Sequence, residues 1–277
     1  MRRHSTIVFL GAAAVASLLL AGCGASSSGG ASSSAGAGSV ATASTPASTA
    51  TSSLTGEITV LAAASLTDSF ATLGKNFEAA HPGTTVKFSF GASTALATQV
   101  TQGAPADVFA SASQKNMDAV VAAKAAASST PFAKNVMEIA VPPNNPSNIT
   151  QLSDLATSAV KVALCQIQVP CGVTAEKVFV NAKIVVKPVT READVRATLA
   201  KVEFGEADAG VVYVTDVLSA GDKVKGVQIP ADVNASTSYP IATLTASKNA
   251  DLAQAFVAYV LSPDGQKVLT AAGFEQP

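Results

Sequence analysis

Histidine and cysteine are scarce in this 277-residue sequence, which contains two histidines and three cysteines. A zinc site built from so few of these side chains would need several carboxylate ligands, and neither an H-E-x-x-H nor a C-x-x-C motif is present. The motif G-x-x-x-x-G-K-[ST] of phosphate-binding loops is also absent. We therefore expect no metal ion, nucleotide or other cofactor.

Aromatic and basic residues are also few. The sequence has no tryptophan, and aromatic residues make up 5% of it, which disfavours an aromatic-lined cleft for sugars or quaternary ammonium groups. Removing the first 22 residues takes away two of the 18 basic residues and leaves 16 against 19 acidic ones. Because no run of lysine or arginine is present, the sequence argues against a nucleic-acid partner.

The N-terminus has the pattern of an export signal. Arg2 and Arg3 precede an apolar run from Ile7 to Leu20, which is shorter than the roughly 20 residues that a membrane span needs. This pattern predicts a signal peptide over residues 1–22. The following Leu20–Cys23 resembles the bacterial lipobox, so we predict a lipid on Cys23 that anchors the protein to the outer face of the cell membrane. A plain secretory signal with an incidental cysteine is the alternative.

Residues 23–56 are almost wholly alanine, serine, glycine and threonine. Such a segment has little apolar surface to bury, so we interpret it as a flexible tether. The globular part then runs from Glu57 to Pro277. It contains Cys165 and Cys171, and the oxidising environment outside the cytoplasm makes a disulfide between them plausible, with two free thiols as the alternative.

Strand and helix patterns alternate through the globular part. A short apolar run, Ile58–Leu61, predicts a buried strand, and apolar residues spaced three and four apart between positions 66 and 77 predict an amphipathic helix. Similar pairs follow almost to the C-terminus. They include a strand that starts at Val136, a helix that starts near Arg191 and a strand with its turn over Ala209–Val217. This rhythm is typical of an α/β fold with mainly parallel sheets.

The segment Phe88–Val100, FSFGASTALATQV, resembles the nucleophile elbow G-x-S-x-G of serine hydrolases, but Ala95 replaces its second glycine. A serine nucleophile needs an adjacent base. His81, the one histidine beyond the signal segment, precedes Ser93, whereas hydrolases of this type place the histidine last. We therefore expect that the protein is not an enzyme.

Serine follows a strand at two predicted helix starts, within Ala63–Leu66 and Gly91–Thr94, and Gly172 marks a third. The first N–H groups of a helix lack acceptors and lie at its positive dipole end, so such junctions bind anions. Small residues let an anion approach the backbone. The alternative is that each serine only caps its own helix, as Ser65 would with Asp68 in a capping box.

Five segments between Glu57 and the C-terminus carry a further pattern. They are TVLAAASLTDSF, GASTALATQVTQGAPADVFASASQKNMD, VPCGVTAEKV, READVRATLAKVEFGEADAGVVYVTDV and YPIA. Together they resemble the molybdate-binding proteins of bacterial ABC transporters. The resemblance implies a two-lobed, type II periplasmic-binding-protein-like α/β fold that captures one tetrahedral dianion, molybdate or tungstate.

In this family each lobe is a mainly parallel sheet flanked by helices, and two crossing segments join the lobes. We place these crossings near Val136–Ala140 and Tyr239–Thr245. Residues 57–137 and 241–277 would form lobe 1, and residues 138–240 would form lobe 2.

The resemblance also implies a ligand set made of neutral groups. The hydroxyls of Ser65, Ser93 and Tyr213 would donate to the anion, together with the backbone N–H groups of Cys171 and Val195. Cys171 departs from the alanine that is common at this position, but a backbone contact does not depend on the side chain. A carboxylate at these positions would repel a fully ionised ligand, and none of the five is acidic.

The resemblance further implies partners and a mode of action. The lobes would close on the anion and deliver it to an ABC transporter permease and, through it, to the ATPase. We expect the receptor to act as a monomer. A receptor for sulfate or another solute on the same scaffold is the alternative.

Overall fold

The computed structural model of the protein describes residues 54–277, in which strands and helices alternate. The strands are β1 (Gly56–Ala63), β2 (Thr84–Gly91), β3 (Val108–Ala110), β4 (Thr130–Val141), β5 (Val162–Cys165), β6 (Thr190–Glu192), β7 (Ala209–Tyr213), β8 (Lys225–Gln228) and β9 (Ser236–Thr243). The α-helices are α1 (Thr67–Ala80), α2 (Ser93–Thr101), α3 (Gln114–Ala122), α4 (Pro170–Ala182), α5 (Val195–Glu203), α6 (Val214–Ala220), α7 (Ala250–Leu261) and α8 (Pro263–Ala271). Short 3-10 turns lie at Ala64–Leu66, Leu152–Ala156 and Gly221–Lys223.

The predicted amphipathic helix is α1, and its apolar face is buried. Phe70, Leu73 and Phe77 are fully buried along this face, as their spacing predicts. Gly74 lies against the ring of Phe88 on β2, where an added Cβ would come within 2.6 Å of a ring carbon. A larger residue at position 74 would therefore displace the Phe88 ring from its present position.

The sheet has two halves, each with a parallel group of strands. In the first half β1 pairs in parallel with β2 and β3, and in the second β5 pairs in parallel with β6 and β7. Strand β4 connects the halves, because Thr130–Val136 pairs antiparallel with β9 while Met137–Val141 pairs antiparallel with β7 and β8. The chain returns from β8 to β9 through residues 229–235.

Three details differ from the sequence-based expectation. Strand β4 begins at Thr130, six residues before the predicted strand start at Val136. Arg191 lies in strand β6, and the helix expected to start near it begins at Val195. The residues after Tyr213, expected to form only a turn, form helix α6.

Each half of the sheet has its own apolar core. In the first half, α1, α7 and α8 cover one face, with Phe70 and Phe256 at its centre, while Phe109 and Met117 belong to a smaller cluster that includes α2 and α3 residues. In the second half, Ile139, Val211 and other aliphatic residues pack with α4 and α5. This packing holds the ends of the parallel strands in fixed positions.

Several predictions concern the N-terminal segment. The signal peptide (residues 1–22), lipidation of Cys23 and all but the last residues of the tether lie outside the described residues. Gly56, assigned to the tether, already belongs to β1. Among residues 54–277, no helix has both the length and the apolar character needed to cross a membrane.

Candidate anion-binding site

A small cavity lies where the parallel strands of both halves end and helices begin. Its volume is about 20 Å³. All five residues predicted to bind the anion line it: Ser65, Ser93, Cys171, Val195 and Tyr213. Open α/β sheets commonly bind ligands at the carboxyl ends of their strands.

Helix starts surround this cavity. Ser93 and Val195 are the first residues of α2 and α5, Cys171 is the second residue of α4, and Tyr213 directly precedes α6. The first N–H groups of a helix have no intrahelical acceptor, and they carry the positive end of the helix dipole. Several such ends therefore face one small space.

Ser93 is 1% exposed, and its hydroxyl is arranged to donate. Its Oγ accepts a hydrogen bond from the backbone N–H of Ala112 at 2.9 Å, which leaves the hydroxyl hydrogen free. The sequence suggested Ser93 or Thr94 as a cap of this helix, but Ala92 occupies the N-cap position and no side chain bonds there. The Ser93 hydroxyl is therefore available to donate a hydrogen bond to a ligand in the cavity.

Ser65 does not form the predicted capping box. It lies within the 3-10 turn Ala64–Leu66, and α1 begins after it without a side-chain cap. Its Oγ lies 2.8 Å from the hydroxyl of Tyr239 on β9. Asp68, the expected capping partner, pairs instead with Arg196 on α5.

Tyr213 has a buried hydroxyl that makes no hydrogen bond with any part of the chain described by the structure. Its backbone N–H donates to Asp216 Oδ2 at 3.1 Å. Burial raises the pKa of Tyr213 well above its ordinary value, so the phenol keeps its proton at neutral pH. An orphaned donor on the wall of a cavity is costly unless something accepts from it.

The turn before α4 is closed by a disulfide between Cys165 and Cys171. Directly after Cys171, Gly172 approaches this turn so closely that an added Cβ would lie 1.9 Å from the carbonyl oxygen of Gln166. Pro170 at the first helical position has no N–H to leave unpaired. The covalent bridge thus holds the backbone of Cys171 at the cavity wall.

Asp194 lines the cavity too and was not singled out from the sequence. It caps α5, with Oδ1 accepting from the N–H of Ala197 at 3.0 Å. An aspartate directly before a segment with apolar residues at helical spacing is an N-cap signal, and this signal could have identified Asp194. The cap bond places the Asp194 carboxylate at the positive end of the α5 dipole. Among residues 54–277, no lysine or arginine lines the cavity.

Behind the cavity lies an ionic cluster that the sequence did not predict. The Arg196 side chain is only 28% exposed, and it contacts Asp68 and Asp216. Asp216 is fully buried. Burial raises its pKa to about 7, against the lowering effect of Arg196.

The arrangement suits hydrogen-bond acceptance by a ligand rather than nucleophilic chemistry. His81 follows the last residue of α1, packs its ring on Phe77 with centroids 4.5 Å apart, and does not line the cavity. Within residues 54–277, no group of three or more histidine, cysteine or acidic side chains is placed to hold a metal ion. The cavity offers hydroxyl and backbone donors, which an anion with several oxygens can use.

Sequence comparison relates this chain to transport receptors. Residues 58–275 match the family model described as bacterial extracellular solute-binding protein. The molybdate-binding protein ModA of Mycobacterium tuberculosis (strain ATCC 25618 / H37Rv) is 42% identical over 221 residues, which cover 79% of this chain and 85% of that protein.

Solved structures show the same architecture. The Azotobacter vinelandii periplasmic molybdate-binding protein superposes with a TM-score of 0.72 at 21% identity, covering 79% of this chain and 99% of that one. The sulfate-binding protein SubI from Mycobacterium tuberculosis H37Rv superposes with a TM-score of 0.70 at 21% identity, covering 79% and 86%. These likenesses confirm the predicted periplasmic-binding-protein-like fold. With the family match over residues 58–275, they lead to one conclusion: the chain belongs to the bacterial extracellular solute-binding proteins.

Proposed function

We propose that this protein is the molybdate receptor of a bacterial ABC importer and that it binds tungstate as well. The 42% identity to a molybdate-binding protein over most of both chains supports the assignment. The observation that carries it is the convergence of Ser65, Ser93, Cys171, Val195 and Tyr213 on one small cavity.

In the proposed binding mode the anion accepts hydrogen bonds from neutral donors. The hydroxyls of Ser65, Ser93 and Tyr213 and the backbone N–H groups of Cys171 and Val195 supply them. A tetrahedral dianion has four oxygens that only accept, which matches a cavity whose polar groups mostly donate. Helix dipoles, rather than a lysine or arginine, balance its charge.

The same proposal includes closure of two lobes around the anion. Lobe 1 would comprise residues 57–137 and 241–277, and lobe 2 residues 138–240. Contacts between the two halves of the sheet support a closed arrangement: Asp68 pairs with Arg196, and the Thr94 hydroxyl donates to the Gln168 carbonyl oxygen at 3.1 Å. The closed receptor, acting as a monomer, would then dock on its permease.

We also propose that a lipid on Cys23 anchors the receptor at the outer face of the cell membrane. The family description as extracellular supports export. Mass spectrometry of the mature protein tests the anchor directly. An N-terminus at Cys23 with the mass of attached acyl chains is expected, and an unmodified Cys23 would contradict the proposal.

Titration calorimetry with molybdate, tungstate and sulfate tests the ligand assignment. We expect molybdate and tungstate to compete for one site per chain and sulfate to bind at least about 100-fold more weakly, about 2.7 kcal/mol less favourably. Sulfate binding as tight as molybdate binding would favour the alternative receptor. Hydrolysis of an activated ester that Ser93→Ala abolishes would overturn the non-enzymatic assignment.

A further inference from the structure

Tyr239 is a buried tyrosine that contacts Ser65 without lining the cavity. It lies on β9, its side chain is fully buried, and its ring packs against Phe132, Phe274 and Tyr213. Its hydroxyl lies 2.8 Å from Ser65 Oγ and 3.5 Å from Asn135 Nδ2. Hydroxyls can donate or accept, so the neighbouring groups decide the direction of each bond.

The amide of Asn135 sets that direction. Its Oδ1 accepts from the N–H of Val136 at 3.1 Å, which orients Nδ2 toward the Thr215 hydroxyl at 2.8 Å and toward Tyr239. An amide nitrogen only donates. The Tyr239 oxygen therefore accepts from Asn135, and its own proton remains to be donated.

Ser65 Oγ is the acceptor available to that proton among the hydrogen bonds of residues 54–277. Burial raises the pKa of Tyr239, which keeps the phenol protonated. Once Ser65 Oγ accepts from Tyr239, the serine's own hydrogen is free to point into the cavity. The bonds then run in one direction, from Asn135 to Tyr239, to Ser65 and to the bound ligand.

We infer that Tyr239 is a positioning residue that fixes Ser65 as a hydrogen-bond donor to the bound oxyanion. The inference rests on the proposed function, because the proposed function supplies the oxyanion to which Ser65 would donate. The chain of hydrogen bonds also connects Ser65 to β4 and β9, the two paired strands at the junction of the sheet halves. Tyr239 does not itself touch the anion.

A double-mutant cycle with molybdate, followed by titration calorimetry, tests this role. Tyr239→Phe removes one oxygen and keeps the ring, so the Ser65 hydroxyl loses its fixed direction. We expect molybdate to bind this variant about 5- to 20-fold more weakly than the wild type. In a Ser65→Ala background the same change should alter the dissociation constant less than about twofold, because no hydroxyl remains to be oriented.

Tyr259→Phe is the matched control, because Tyr259 is a partly buried tyrosine on α7 that packs on Phe77 away from the cavity. It should leave the dissociation constant within about twofold of the wild-type value.

Thermal unfolding followed by circular dichroism checks that each variant folds. If Tyr239→Phe does not fold, Tyr239→4-aminophenylalanine replaces it, because the aromatic amine can still donate to Ser65. That variant should bind within about threefold of the wild type, and binding more than about tenfold weaker would overturn the inference.

The outcomes separate the inference from the proposed function. A wild-type protein that binds no molybdate would refute the proposed function and this inference with it. If the wild type binds molybdate but Tyr239→Phe weakens binding by the same factor with and without the Ser65 hydroxyl, only the inference is refuted. If the factor by which Tyr239→Phe weakens molybdate binding is at least about three times larger with Ser65 than with Ser65→Ala, the inference is supported.

Discussion

Arg196 on α5 forms an ion pair with Asp68 on α1 and so connects the two halves of the sheet beside the cavity. Both residues belong to segments that supply proposed ligands, since Arg196 follows Val195 and Asp68 lies three residues after Ser65. Closure of the halves around an anion would therefore make this pair, and opening would break it.

Asp68→Asn should weaken molybdate binding modestly. The Asp68 side chain is 61% exposed, and ion pairs at such positions contribute about 0.2–1 kcal/mol, which corresponds to at most about a fivefold change in affinity. The effect should shrink as salt is raised. Calorimetry at low and high salt measures it.

Glu57→Gln is the control for this prediction. Glu57 pairs with Lys87 at 2.9 Å between two neighbouring strands of the first half of the sheet. Losing that pair should not affect closure, so affinity should stay at the wild-type value. If both variants lowered affinity equally, the Asp68–Arg196 pair would have no special role in closure.

Because the Asp216 carboxyl is buried, we predict that its contribution to the stability of the protein decreases as pH rises toward 7. Its pKa is raised to about 7 from 3.8, mainly by burial, and the charged groups facing it are Arg196, Asp194 and Asp68. Between these two values the folded state holds a proton that the unfolded state has lost. The free energy of unfolding contributed by this group therefore falls as pH rises from about 4 to about 7, and it is level above that.

Asp216→Asn should remove this dependence. From about pH 5 to pH 7 the wild type should lose about 2 kcal/mol relative to the variant, at 1.36 kcal/mol per unit of pKa difference. Urea unfolding at several pH values gives the difference. Asp222→Asn, on the exposed turn after α6, should instead follow the wild-type profile. Parallel profiles for wild type and Asp216→Asn would contradict the prediction.

The elements that sequence reasoning predicted best are those with local signals. The apolar spacing of α1 and the strand-to-helix junctions at Ser65 and Ser93 are visible within a few residues. Strand β4 begins earlier than predicted, at Thr130, and Pro131 in its first part is a residue type that strands disfavour. The structure accommodates Pro131 where the pairing register with β9 shifts, between Pro131 and Ala133.

What the sequence could not predict are contacts between distant positions. Ser65 and Tyr239 are 174 residues apart, and Arg196 and Asp68 are 128 residues apart. A serine before a helix predicts a cap, and that prediction was wrong at Ser65 because a tertiary hydroxyl contact replaces the local one. The burial of Asp216 likewise depends on how α6 packs, and the short helix has no clear periodicity.

Ser93→Ala should weaken molybdate binding by roughly 1.5–3 kcal/mol, about 10- to 150-fold, because the dianion would lose a buried donor. It also removes the acceptor of the Ala112 N–H, so a small loss of stability should accompany it. Calorimetry and thermal unfolding separate the two effects.

Ser69→Ala provides the matched control for Ser93→Ala. Ser69 is also a buried serine with one hydrogen bond, donated to the carbonyl of Leu66 at 3.2 Å, but it does not line the cavity. Its removal should change affinity less than about twofold. Equal losses in the two variants would indicate a general effect of serine removal rather than a ligand contact at Ser93.

The Cys165–Cys171 disulfide should stabilise both the fold and the binding turn. Its cysteines are six residues apart, and closing so short a loop stabilises a protein by roughly 2 kcal/mol in the chain-entropy model. Replacing both cysteines by alanine should lower the free energy of unfolding by about that amount. It should also weaken molybdate binding several-fold, because the backbone of Cys171 would no longer be held at the cavity wall. Dithiothreitol should reproduce both effects in the wild type and leave the double variant unchanged. A reductant effect of equal size on both proteins would show that the bridge does not support the turn.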